Sequence, residues 1–192
     1  MQSFLQNSGG NLQFFNGYTL ELHLVVLIAI VAVATAIDVR DHRIPNWLIA
    51  VGLLIAVSYH ALGPFGEGAT FTLTGLLVGI STLLPLYAVG TMGAGDVKLM
   101  GMVGAYLGVS ATINAALATL IAGGVVALLA SAYKRRLPQL FSNLYTMLIQ
   151  RHIRQLGGAV ADSLLSPPSV GKLPYAVAIA AGTGIQIFIL RA

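Results

Sequence analysis

The chain has 192 residues, of which 57% are hydrophobic and only 8% are charged, whereas about a quarter are charged in an ordinary soluble domain. This composition indicates an integral membrane protein. Cysteine is absent, which excludes disulfides, thiolate catalysis and zinc sites built from thiolates. The formal net charge of +4 is small and its basic residues are dispersed, so the sequence does not predict nucleic-acid binding.

Residues 1–19 are polar and rich in glycine and asparagine, and no Lys or Arg precedes Arg40. A secretory signal peptide would instead begin with basic residues and end in a small-residue cleavage site. We therefore expect a polar, periplasmic N-terminal segment over 1–19, followed by a first apolar run that is kept as a span.

Five apolar stretches are long enough to cross about 30 Å of hydrocarbon as helices. They cover residues 20–38, 46–62, 70–90, 111–133 and 173–190. A sixth stretch, 97–109, is shorter and rich in glycine. Together they predict an all-α integral membrane protein with six transmembrane helices, which form one membrane domain over residues 20–192.

The basic residues predict the orientation of these helices. With the N-terminus outside, the segments 39–45, 91–98 and 134–172 face the cytoplasm and carry all ten Lys and Arg residues except Arg191. The positive-inside rule favours this arrangement. It also supports the sixth span, since without that span the basic segment 134–172 would lie on the wrong side.

The segment 134–172 contains its own helical pattern. Apolar residues recur at helical spacing from Leu137 to Leu148, with polar residues between them. This pattern is typical of an amphipathic helix that lies on a membrane surface. We expect such a helix on the cytoplasmic face, ending near Gly157 and Gly158.

The sequence has only six acidic residues, and a carboxylate at the end of a span is a functional hypothesis by default. Asp38 ends the first span and Asp96 opens the short fourth span, so the predicted orientation places both at the cytoplasmic side. Asp41 lies in the following loop and is expected to be a solvated charge. His23 and His60, near the outer side, are expected to be structural.

Two carboxylates that share a site can hold one proton between them and activate water against a peptide carbonyl. This is the chemistry of aspartic proteases, and it needs no metal or cofactor. The sequence contains neither a Gly-x-Ser-x-Gly elbow nor a His-Glu-x-x-His motif. We therefore expect Asp38 and Asp96 to be the catalytic pair.

Residues around both acids suggest supporting roles. Gly93 and Gly95 precede Asp96 and permit a sharp turn or the close approach of a substrate strand. Pro45 is suited to the start of the second helix, where Asn46 follows it. Lys98 lies two residues beyond Asp96 and could tune the pair or receive an acidic group of the substrate.

Three motifs together resemble the type IV prepilin peptidase family of GxGD-type aspartic proteases. They are Asp38 with Ile44-Pro45-Asn46, Gly93-Ala94-Gly95-Asp96 with Lys98, and Lys172-Leu173-Pro174-Tyr175 with the segment 178–182. The resemblance implies that Asp38 and Asp96 are the catalytic aspartates and that Gly93 and Gly95 are the glycines before the second one. It also implies an enzyme of the bacterial inner membrane that removes leader peptides from pilin precursors at the cytoplasmic face.

The chain lacks the cysteine-rich domain of the long members of that family. It therefore resembles the short members that serve Flp-type, tight-adherence pili, for which proteolysis without methylation is expected. The resemblance implies cleavage after a glycine, with a short basic leader that stays in the cytoplasm.

Two other functions, a proton-coupled transporter and a structural assembly protein, are alternatives for a protein of this composition. A proton-coupled transporter would use intramembrane acids as a relay, and the short, glycine-interrupted fourth span resembles a broken helix at a transport site. Its acids should lie near the middle of the bilayer, whereas Asp38 and Asp96 are both expected at one face. A purely structural assembly protein gives no reason for the paired aspartate motifs.

Overall fold

The computed structural model describes residues 11–14, 18–62, 66–133 and 175–190. A short antiparallel hairpin comes first, with strands β1 (Asn11–Phe14) and β2 (Tyr18–Glu21), in which Asn11 lies opposite Glu21. The prediction of an all-α chain is wrong for this segment. Apolar and polar residues alternate in both strands, a period-two pattern that the polar composition of 1–19 obscured.

Five helices follow the hairpin in the described residues. They are α1 (Leu22–Asp41), α2 (Asn46–Val57), which continues into a π-helical turn (Ser58–Leu62), α3 (Ala69–Ala88), α4 (Ala94–Tyr133) and α5 (Tyr175–Ile189). The helical bounds agree with the predicted apolar stretches to within a few residues. The predicted surface helix in 134–172 lies outside the described residues.

Three of the described helices are long and apolar enough to cross a membrane: α1, α3, and residues Ala94–Leu129 of α4. The apolar helices Asn46–Leu62 and Tyr175–Ile189 are shorter. The structure therefore supports a helical membrane protein. Two of the six predicted spans, 20–38 and 70–90, correspond to single helices of full spanning length, and the third long helix, α4, covers two predicted spans.

The predicted fourth and fifth spans are joined in α4. Gly108 interrupts this helix with a φ of 71° and a ψ of −174°, so two helical segments meet there at a kink. A side chain at Gly108 would overlap the ring of Phe71, at the start of α3. The break falls within two residues of the predicted boundary between 97–109 and 111–133.

Contacts along the helices show how they run. Lys98 contacts Asn46 at the start of α2, and further along the hydroxyl of Tyr106 donates a hydrogen bond to the Gly52 carbonyl oxygen at 2.9 Å. The α2 helix is therefore parallel to the first half of α4. Contacts of α3 run in the opposite order, because Gly79 lies against Met100 whereas the earlier Gly75 lies against Gly104.

The last turn of α1 and the first turns of α2, α4 and α5 meet at one end of this bundle, here called the acidic end because Asp38 and Asp96 lie in it. Aromatic rings fill the opposite end. The ring of His23 stacks on Tyr59 at 4.5 Å, and His60 contacts Phe71 at 4.8 Å. Both histidines are buried among these rings, as expected of structural residues.

The chain divides into two compact units, residues 1–123 with 174–192, and residues 124–173. All the contacts described here belong to the first unit. Its core is formed by buried apolar residues of all five helices, and the largest fully buried side chain is that of Tyr106.

Glycines set the distance between α3 and α4. A Cβ atom on Gly75 would overlap the carbonyl oxygen of Gly104, and one on Gly104 would overlap that of Gly75. A Cβ atom on Gly79 would overlap the carbonyl oxygen of Met100. Small residues of this kind let helix backbones approach closely in membranes, where packing rather than the hydrophobic effect holds helices together.

Gly75→Ala is expected to destabilise the protein by about 1–3 kcal/mol, because α3 and α4 must move apart to admit the methyl group. Gly184→Ala is the matched control, since a Cβ atom there meets nothing within 4 Å and alanine favours the helix by up to about 1 kcal/mol. Thermal unfolding of both variants in detergent measures the difference. Equal melting temperatures for the two variants would contradict this account of the interface.

Candidate active site

Asp38 lies in the last turn of α1, with 7% of its surface exposed. Its Oδ2 accepts a hydrogen bond from the backbone N–H of Ala176, in the first turn of α5, at 3.2 Å. The hydroxyl of Thr35 lies 3.2 Å from the Ala176 carbonyl oxygen and can donate to it. The first turn of α5 is therefore fixed to the last turn of α1 at the carboxylate itself.

Asp96 lies in the first turn of α4, with 8% of its surface exposed. Its Oδ2 accepts a hydrogen bond from the Gly93 N–H at 3.0 Å, and its own N–H donates to the Gly93 carbonyl oxygen at 3.2 Å. Asp96 thus closes the turn that leads into α4. This local bond fixes the carboxylate relative to the helix that carries it.

Asp38 and Asp96 lie at the same end of the bundle, in the last turn of α1 and the first turn of α4. Each is buried, and each has one oxygen held by a backbone N–H. Two carboxylates that share a buried site can hold one proton between them. In that state one group would be an acid and the other a base.

The loop between α1 and α2 packs on the first turn of α4. Pro45 caps α2 with a φ of −70° and a ψ of 133°, the extended conformation usual at this position. Ile44 lies against Gly95, where an added Cβ atom would be 3.4 Å from the Ile44 Cβ. The first and second predicted motifs therefore touch each other beside the aspartates.

Lys98 has a partner that the sequence did not suggest. Its Nζ donates a hydrogen bond to Oδ1 of Asn46 at 3.0 Å, and both side chains are exposed. The bond ties the start of α2 to the second turn of α4. The structure thus brings all the predicted supporting residues to the acidic end, with Lys98 acting on Asn46.

The two motif glycines differ from expectation in how they act. The left-handed backbone that favours glycine occurs at Gly90, with a φ of 78°, and not at Gly93 or Gly95. Gly90 therefore makes the turn before α4, whereas Gly95 lies against Ile44 and Gly93 supplies its N–H to Asp96. Asp41 is exposed near Arg40, 3.9 Å from its Nε, as expected of a solvated charge.

Sequence reasoning missed the contribution of α5. Tyr175 and Ala176 begin this helix beside the carboxylates, but only the Tyr175 position was noticed, as part of a motif. A backbone N–H donor has no residue signature, so the bond from Ala176 could not be read from the sequence. Among the residues that the structure describes, no group of three or more His, Asp or Glu side chains could hold a metal ion.

Comparison with known proteins gives one match. The sequence model of the type IV leader peptidase family matches residues 25–128, a range that holds both aspartates and the motif residues from Ile44 to Lys98. No curated protein and no solved structure gives a significant match. Because the matched range is more than half of the 192 residues, the chain belongs to the type IV leader peptidase family.

Proposed function

We propose that this chain is an aspartic endopeptidase that removes the short leader peptide of pilin-like precursors, with Asp38 and Asp96 as its catalytic pair. The observation that carries the proposal is the meeting of these two buried carboxylates at one end of the bundle, in a chain of a leader-peptidase family. The enzyme would lie in the bacterial inner membrane with this end facing the cytoplasm.

The reaction uses one carboxylate and one carboxylic acid. The carboxylate takes a proton from a water molecule as the water oxygen attacks the peptide carbonyl carbon, while the carboxylic acid gives its proton to the carbonyl oxygen. The tetrahedral intermediate then breaks its C–N bond, and the leaving nitrogen receives a proton from the pair. Because the two groups are coupled, these roles belong to the pair.

The backbone donors support this mechanism. The N–H groups of Gly93 and Ala176 each hold one oxygen of their carboxylate, which leaves the other oxygen of each acid for water and substrate. Groups fixed in advance need little reorganisation as charge moves during the reaction. The bonds therefore orient the pair before substrate arrives.

The substrate would present a hydrophobic helix to the bilayer and a short basic leader to the cytoplasmic side. Cleavage after a glycine and a Flp-type pilin as substrate both follow from the resemblance to the short prepilin peptidases. The exposed Asn46 and Lys98 lie at the surface of the acidic end, where the leader would pass.

The transporter alternative receives little support from the geometry. A broken helix at a transport site should place its break next to the ionisable groups. The break at Gly108 is twelve residues from Asp96, or about 18 Å along a helix that rises about 1.5 Å per residue. The acids and the break therefore lie at different ends of the same helical segment.

Asp38→Asn and Asp96→Asn should each lower the rate of precursor cleavage by about 10³-fold or more, because each removes one member of a unit that acts together. The double variant should be no slower than either single variant. Co-expression with candidate pilin precursors, followed by mass spectrometry of the mature N-termini, measures the outcome.

Asp41→Asn is the matched control, because this nearby carboxylate is exposed and lies outside the pair. It should cleave at close to the wild-type rate. Full processing by the Asp96→Asn variant would refute the catalytic pair.

The orientation can be tested by cysteine labelling, since the natural chain contains no cysteine. His42→Cys and Gln155→Cys should react with a membrane-impermeant reagent only from the cytoplasmic side, and Glu67→Cys only from the periplasmic side. This outcome follows from the distribution of basic residues. Labelling of position 155 from the periplasm would contradict the shared face of the two acids.

Cleavage is expected to survive removal of divalent metal ions, because two carboxylates and water suffice for the proposed reaction. Purified enzyme in detergent, treated exhaustively with a chelator, should process precursor at its original rate. A loss of activity that only added zinc restores would favour a metallopeptidase mechanism.

A further inference from the structure

Tyr175 lies near the catalytic pair. It is the first residue of α5, at the acidic end, and the N–H of the next residue, Ala176, donates to Asp38 at 3.2 Å. Tyr175 is thus next in sequence to a direct backbone bond with one of the two carboxylates. The proposed mechanism gives this phenol no role.

The ring of Tyr175 is held in place by packing. A Cβ atom built on Gly123 would lie 2.9 Å from the hydroxyl oxygen and 3.0 Å from Cζ and Cε2, so the ring rests on bare backbone at this point of α4. The ring also packs against the buried apolar core. Gly123 therefore provides the space that the phenol occupies.

The hydroxyl of Tyr175 makes no hydrogen bond to another residue in the part of the chain that the structure describes, and the side chain is half-buried. By contrast, the Tyr106 hydroxyl deeper in the bundle is bonded to the Gly52 carbonyl oxygen. A fixed ring whose hydroxyl has no partner among the described residues, at the end of the bundle that holds both carboxylates, suits the binding of a polar group from outside the chain.

The backbone carbonyl groups of the proposed substrate need a hydrogen-bond donor of this kind. A peptide bond in a regular helix has its carbonyl oxygen engaged within that helix, so the stretch to be cut must first unwind for a carboxylate and water to reach it. Its backbone groups then lose their partners, and an unpartnered polar group in an apolar site costs several kcal/mol. A phenol O–H can donate one hydrogen bond to a carbonyl oxygen.

We propose that Tyr175 is a substrate-binding residue whose hydroxyl donates a hydrogen bond to the carbonyl oxygen of the scissile peptide. Tyr175 keeps its proton throughout; the bond strengthens as negative charge develops on that oxygen in the transition state. This inference rests on the proposed function, since it assumes that the acidic end cleaves a peptide.

Tyr175→Phe tests the proposal by removing the hydroxyl and keeping the ring on Gly123. The kcat for precursor cleavage in detergent should fall about 10- to 100-fold with KM changed less than about twofold, as expected for a bond made mainly in the transition state. The pH limits of activity, which report the carboxylate pair, and the melting temperature should stay as in the wild type. Tyr87→Phe, at an exposed tyrosine of α3, should have no effect.

A second variant tests whether Gly123 affects catalysis by positioning the Tyr175 hydroxyl. The added methyl group of Gly123→Ala would displace the Tyr175 ring. This variant should therefore lower kcat in the wild-type chain and have little further effect in the Tyr175→Phe chain. Effects of two changes that act through one interaction are not additive. Additive losses would indicate that Gly123 serves the fold rather than the phenol, and would contradict the proposal.

The controls separate this inference from the proposed function. Cleavage by the wild-type chain, and none by Asp96→Asn, establishes the peptidase; a Tyr175→Phe enzyme with wild-type kcat would then overturn the role of Tyr175 alone. A wild-type chain that cleaves no pilin-like precursor would overturn both.

Discussion

The rest of the structure depends on the burial of two carboxylates at one end of an apolar bundle. Asp38 and Asp96 come from helices that are far apart in sequence, and each loses most of its contact with water. A buried carboxylate without a hydrogen-bond partner is costly, and a backbone N–H donor on each acid lowers that cost. The first turn of α5 and the turn before α4 supply those donors.

The motifs around the acids act by holding helix ends together. Ile44 packs on Gly95, and Asn46 accepts a hydrogen bond from Lys98, so the α1–α2 loop is fixed to the start of α4 by one apolar and one polar contact. Deeper in the bundle, glycines bring α3 and α4 into backbone contact. The positions of Asp38 and Asp96 are therefore fixed by contacts next to the carboxylates and by helix packing deeper in the bundle.

Much of this arrangement could be predicted from the sequence. Apolar runs located the helices, and the positions of Asp38 and Asp96 at the ends of predicted spans singled out the two acids. The family resemblance is confirmed by the match to residues 25–128. The hairpin was not predicted, because the polar composition of residues 1–19 obscured the short alternation of apolar and polar residues in its strands. Residues 97–109 and 111–133 were predicted as separate spans, whereas the structure joins them at Gly108, since sequence cannot distinguish a kink from a connection. The hydrogen bond between Lys98 and Asn46 could not be predicted, because it depends on how α2 and α4 pack side by side.

The bond from Ala176 to Asp38 has an evolutionary consequence. Its donor is a main-chain N–H, so nineteen of the twenty ordinary amino acids could provide it and only proline would abolish it. Selection on this contact would act on the packing that positions α5, where the Ala176 side chain is fully enclosed, and hardly at all on hydrogen-bonding chemistry. Related enzymes could thus preserve the interaction while their sequences diverge at this position, provided that the replacement remains small.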